Sequence, residues 1–110
     1  MPQITFRGIK KETVKNISGR VVNELKDIVN APADWFTIEY MYTEFFVDGE
    51  FSENYPLIQV HWFGRDLEVQ DSVASVLTDI LIDEGYPEVE ISFHTFDRRS
   101  YYANKRHFAE

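Results

Sequence analysis

Along this chain the apolar periodicity switches twice from two residues to about 3.6 and back, and few folds satisfy that order. In residues 2–7, Pro2, Ile4 and Phe6 alternate with Gln3, Thr5 and Arg7, the pattern of a strand with one apolar face, and Gly8 ends it. Between 12 and 30, Val14, Ile17, Val21, Val22, Leu25, Ile28 and Val29 recur at spacings of three and four, a helical stripe closed by Asn30, Pro32 and Asp34. Residues 35–47, WFTIEYMYTEFFV, are aromatic and β-branched and predict one long strand. Asp48-Gly49 and the polar residues up to Asn54 reverse the chain, and Pro56 opens LIQVHWF as a second strand, antiparallel to the long one in a wide hairpin. Asp66 is then the N-cap of a second helix with Val69, Val73, Val76, Leu77, Ile80 and Leu81 as its stripe and Gly85 as its stop. Val89, Ile91 and Phe93 alternate with Glu90, Ser92 and His94 in a fourth strand that runs to Phe96. The remainder, DRRSYYANKRHFAE, reads as a basic, aromatic tail with one short strand or turn.

The order β-α-β-β-α-β predicts an α+β fold, a four-stranded mixed sheet with both helices on one face. Residues 2–47 and 56–96 read as two β-α-β units, although no convincing sequence repeat links them. A chain of 110 residues buries roughly two-thirds of its unfolded surface, enough for one core, so residues 1–110 are expected to form a single domain. The sheet's second face needs a cover. Large side chains fall on both faces of the long strand, with Phe36, Ile38, Tyr40, Tyr42 and Phe46 on one and Trp35, Met41 and Phe45, joined by Trp62, on the other. A two-layer monomer would expose one set, which points to an oligomer.

With no cysteine, the chain lacks disulfides, thiolate zinc sites and cysteine nucleophiles, and a cytoplasmic location is the simplest reading. The N-terminus has no apolar run of an export signal, and no stretch approaches the ~20 apolar residues of a membrane span, so no membrane partner is expected. A pI of about 4.8 argues against nucleic acid. The order of elements is also that of the RNA-recognition motif, but LIQVHWF lacks that motif's basic-Gly-aromatic signature. His61, His94 and His107 have no paired spacing, and Asp48, Glu50 and Glu53 do not form a calcium loop, so no metal is expected. The absence of GxxxxGK[ST], GxGxxG and GxSxG leaves nucleotide-dependent and serine-hydrolase chemistry unsupported, and no cofactor is expected. The charge is unevenly spread: residues 1–30 carry net +3, residues 31–90 net −13 with Arg65 as the only base, and residues 91–110 net +2.

Pro2 directly follows the initiator methionine, whose removal a small second residue permits, and it would then be a secondary amine. An α-amino group has a pKa of about 8, and burial or nearby cations lower it, giving a neutral base suited to moving protons on carbon. The alternative is that Pro2 only starts an edge strand, where a missing N–H costs nothing. Arg65 similarly reads either as a solvated partner of Asp66 or Glu68, or as a guanidinium that holds a carboxylate bidentately and depresses the pKa of a nearby Pro2. Lys10, Lys11, Arg98, Arg99 and Arg106 read either as solvated side chains or as further sources of positive field.

PQITFRGI, the aromatic strand, QVHWFGR running into the second helix, EVEISFHTF and the YYANKRHF tail resemble the tautomerase superfamily over essentially the whole chain. The likeness is to macrophage migration inhibitory factor and 5-carboxymethyl-2-hydroxymuconate isomerase, and the ending is most like an uncharacterised branch. The resemblance implies a β-α-β plus β-α-β subunit, its sheet completed in a homotrimer, with an amino-terminal proline as catalytic base in a pocket between subunits. Carried over by position, Pro2 is the catalytic proline and Phe63 and Gly64 offer a backbone N–H near the substrate. Arg65 stands where relatives carry a base, and Tyr101, Tyr102 and Asn104 match the region closing the neighbouring site. The implied activity is a tautomerase or isomerase acting on a small anionic enol or keto acid. Residues 35–47 contain no Lys or Arg, where relatives hold a substrate carboxylate, and Glu90 and Ser92 replace a tyrosine and an asparagine of the inhibitory-factor branch. A trimeric binding or structural protein without catalysis is the alternative these departures motivate.

Overall fold

In the computed structural model, which describes residues 1–109, Ile4 and Phe6 leave β1 (Gln3–Arg7) on its apolar side and are fully buried. The helix α1 (Lys11–Val29) follows and buries Val14, Ile17, Val21, Leu25 and Val29 against them, the stripe its spacing predicts. It ends at Asn30 in the left-handed conformation, whose N–H bonds to the Lys26 carbonyl. β2 (Thr37–Met41) then pairs parallel to β1, Gln3 beside Thr37 and Arg7 beside Met41.

The long strand stops there. Residues 45–47 turn away as β3 (Phe45–Val47), which pairs with β4 (Glu50–Ser52) in a separate two-stranded hairpin. Asp48 and Gly49 both have positive φ, the requirement of a type I′ hairpin turn. β5 (Leu57–Trp62) pairs antiparallel with β1, not with residues 35–47, so the expected wide hairpin does not form. The physical reason is burial: β5 alternates between buried and half-buried residues and takes a central place beside β1, leaving β2 at the edge. α2 (Leu67–Asp83), capped by the Asp66 side chain on the Val69 N–H at 3.0 Å, returns the chain to β6 (Glu90–Thr95), parallel to β5. The sheet order is β2-β1-β5-β6. The tail folds as the hairpin β7 (Tyr102–Ala103) and β8 (Arg106–His107), with Asn104 and Lys105 at positive φ in its turn.

Both helices lie on one face, over Ile4, Phe6, Ile58, Val60 and Trp62. The other face differs from the aromatic surface expected from the sequence. Trp62 belongs to the core, and the bare face carries Gln3, Thr5, Arg7, Glu39, Gln59, His61, Ser92 and His94. Exposed aromatics lie instead at the ends of the sheet, because residues 42–47 leave it before their alternation can place them on a face.

The two parallel pairs begin alike. The Pro2 carbonyl accepts from the Thr37 N–H at 3.0 Å and the Pro56 carbonyl from the Glu90 N–H at 3.1 Å, so each β-α-β unit opens on a buried proline bonded to the strand that follows its helix. No helix among the described residues is long and apolar enough to cross a membrane.

Candidate functional site

The start of β1, the end of β5 and the folded tail meet at one end of the sheet and enclose a cavity of about 490 Å³. Its walls are Met1, Trp35, Phe63, Arg65, Arg98, Tyr101, Ala103 and Phe108. The aromatic part assembles around Phe63, buried at the end of β5: the rings of Tyr101 and Phe108 lie 5.3 and 5.4 Å from it, centroid to centroid. Phe96 closes the cluster 4.9 Å from Tyr101. Gln3 fixes Tyr101 by donating from Nε2 to its hydroxyl at 2.8 Å, and the Phe108 N–H donates to the carbonyls of Arg98 and Tyr101, tying the tail down.

Two guanidiniums enter this apolar setting. Arg65 is held by backbone oxygens, donating Nε to the Val29 carbonyl at 3.3 Å and Nη1 to the Phe63 carbonyl, and it lies 5.8 Å over the Trp62 ring. It makes no ion pair with Asp66 or Glu68, so the solvated pairing does not occur among the described residues. Arg98 lies 4.2 Å over the face of Phe63, a cation–π contact. Two cations beside an apolar wall offer the chemistry that suits an anion with an apolar body.

The chain terminus completes the cavity. The Met1 α-ammonium donates to the Trp35 carbonyl at 2.8 Å, and its pKa is lowered below the usual value of 8.0, first by burial and second by the charge of Arg65. Pro2 is buried directly behind it, with its nitrogen in the amide to Met1.

Of the residues singled out in the sequence, Phe63, Arg65 and Tyr101 line the cavity, and Pro2 lies one residue inside its wall. Gly64 is beside it, packed so that a Cβ there would come 3.1 Å from the Thr95 side chain. Tyr102 and Asn104 are not in the walls. Strand alternation turns Tyr102 outward to Arg99, whose Nη1 donates to its hydroxyl at 2.5 Å, and Asn104 serves the turn. Arg98, read in the sequence only as a further source of positive field, is a wall residue, and Trp35, Phe108 and Met1 are wall residues the sequence did not point to. A second cavity of about 490 Å³, at the far end of the sheet, is lined by Lys10, Tyr42, Glu44, Phe45, Phe51 and Tyr86 among others and lacks the paired arginines and the chain terminus.

A family model described as a domain of unknown function, DUF1904, matches residues 1–107. A crystal structure of a DUF1904 domain from Sebaldella termitidis is 38% identical, covers 98% of this chain and 100% of its own, and superposes with a TM-score of 0.93. A macrophage migration inhibitory factor-like protein from Entamoeba histolytica is 11% identical, covering 97% and 98%, with a TM-score of 0.73. A fused 4-OT, described as an asymmetric trimer, is 12% identical, covering 96% and 94%, with a TM-score of 0.82. These last two share the fold. No curated protein matches the sequence.

Proposed function

We propose, from the premise that this chain belongs to the DUF1904 family and has the tautomerase-like fold, that it is a small-molecule tautomerase or isomerase whose base is Pro2 after removal of Met1. The observation that carries this reading is the placement of the chain terminus in the wall of a cavity that also holds Arg65 and Arg98. Removing Met1 turns the Pro2 amide into a secondary amine and adds the vacated volume to the cavity. The two causes that lower the Met1 amine, burial and Arg65, act on its successor in the same direction and favour a neutral base near pH 7.

The substrate is a small enol or keto acid. Arg65 and Arg98 hold its carboxylate, Phe63, Tyr101 and Phe108 hold its apolar part, and Pro2 takes the proton α to the carbonyl. The enolate that forms is stabilised by the cations and by backbone N–H groups at Phe63 and Gly64 until Pro2 returns the proton to another carbon. Atoms balance without a co-reactant. The fused 4-OT described as a trimer supports a homotrimer as the working form, with Tyr102 and Asn104 facing a neighbour. A cavity in which Pro2 stays acylated supports the competing reading, a trimeric binding protein without catalysis.

Intact-mass measurement of untagged protein from its source separates the two readings, the enzyme requiring loss of one methionine. Pro2→Ala is expected to lower ketonisation of an enol phenylpyruvate probe by at least about 100-fold, the usual worth of a general base. Wild-type protein inactive on a panel of enol acids would overturn the reading.

A further inference from the structure

The hairpin β3–β4 is the least accommodated part of the molecule. Phe46 and Phe51, with ring centroids 5.0 Å apart, are 60% and 73% exposed, and Tyr42 beside them is 69% exposed. Residues 42–55 carry Glu44, Asp48, Glu50 and Glu53 and no base. An exposed aromatic pair ringed by carboxylates is costly to leave in water and marks an interface. The tail has the opposite character: within residues 96–107 Arg98, Arg99, Lys105 and Arg106 outnumber Asp97, and Tyr102 is 56% exposed. Neither ion pair among the described residues involves either segment.

The two segments cannot meet within one copy. The hairpin follows β2 where it ends beside Arg7, whereas the tail follows β6 at the Gln3 end, and the molecule is 49 Å long. We propose that the acidic, aromatic β3–β4 hairpin of one copy docks on the basic, aromatic tail of the next, head to tail, and forms the outer wall of the cavity at Phe63 and Arg98. The contact joins two different patches of the same chain and is therefore heterologous, the kind that closes into a ring when the rotation permits. It rests on the oligomeric reading given above and adds the element that seals each site and the charge code that sets its direction. A second copy is the occupant because one chain supplies both halves of the match, in charge and in aromatic surface.

A zero-length carbodiimide applied to the wild-type protein tests this directly. Mass spectrometry is expected to find Glu50 or Glu53 joined to Lys105, a link that the separation of the ends allows only between copies. Glu50→Lys with Glu53→Lys, and separately Arg99→Glu with Arg106→Glu, should each weaken association at least about tenfold by analytical ultracentrifugation. All four together restore opposite charges and should recover it. These positions are exposed, and circular dichroism and melting confirm that each variant folds. Wild-type protein that assembles and turns over enol acids, yet gives no such link and ignores the charge reversals, overturns the docking alone. A monomeric wild type overturns it together with the trimeric reading.

Discussion

His61 and His94 stack on the bare face of the sheet with ring centroids 4.5 Å apart, and His94 is engaged by Ser92 at 2.9 Å. The pKa of His61 is lowered from 6.5, first by burial and then by His94, with Glu39 opposing. A histidine whose folded pKa lies below its unfolded value binds its proton more readily when unfolded, so it costs stability as pH falls from about 6.5. His61→Gln is expected to flatten the fall in urea midpoint between about pH 7 and 5, measured beside wild type. Residue-scale chemistry was partly legible in the sequence. Pro2 stands out by its place after the initiator methionine and Arg65 by its solitude among carboxylates, whereas Phe63 and Tyr101 are pointed to only by the resemblance to the tautomerase superfamily. The sequence offers Arg98 only as one of several sources of positive field and does not single out Phe108, because their place depends on the Phe108 N–H folding back onto Arg98 and Tyr101, a contact without periodicity.

At the scale of elements, the two helices and their stops follow from apolar spacing, Asp66 and Asn30. The break after Met41 does not, since WFTIEYMYTEFFV has uniform strand propensity and only the pull of a separate hairpin ends its pairing. Gly8 makes a related point. It has φ of +79°, and a Cβ there would lie 1.9 Å from the Tyr55 carbonyl oxygen, so the backbone before β5 rests on it. Gly49 has φ of +80° but open space around it. Gly8→Ala should therefore destabilise well beyond the ~1 kcal/mol of left-handed strain expected for Gly49→Ala. Chemical denaturation of the two variants checks the difference, and equal losses would assign Gly8 to conformation alone.

Across the whole molecule, strand order was the feature the sequence hid. Adjacent strands in sequence were expected to pair, yet β1 sits between β2 and β5, an arrangement chosen by which strands bury most and not by local turn chemistry. The tail lies outside the main core, which contains no residue after Phe93. A chain ending at Phe96 is thus expected to unfold cooperatively with about 2 kcal/mol less stability, from uncovering Phe63, and to lose probe-anion binding. Calorimetry and a fluorescent anion titration measure the two effects.

The matched prolines at the heads of the two β-α-β units carry one more consequence. Pro2 and Pro56 occupy equivalent places, but a polypeptide has one amino terminus, and the nitrogen of Pro56 is permanently acylated by Tyr55. Chain direction alone therefore breaks the architectural likeness of the halves. Loss of Met1 would free the nitrogen of Pro2 and leave that of Pro56 in its amide, so base chemistry of the kind proposed above is confined to one mouth of the subunit.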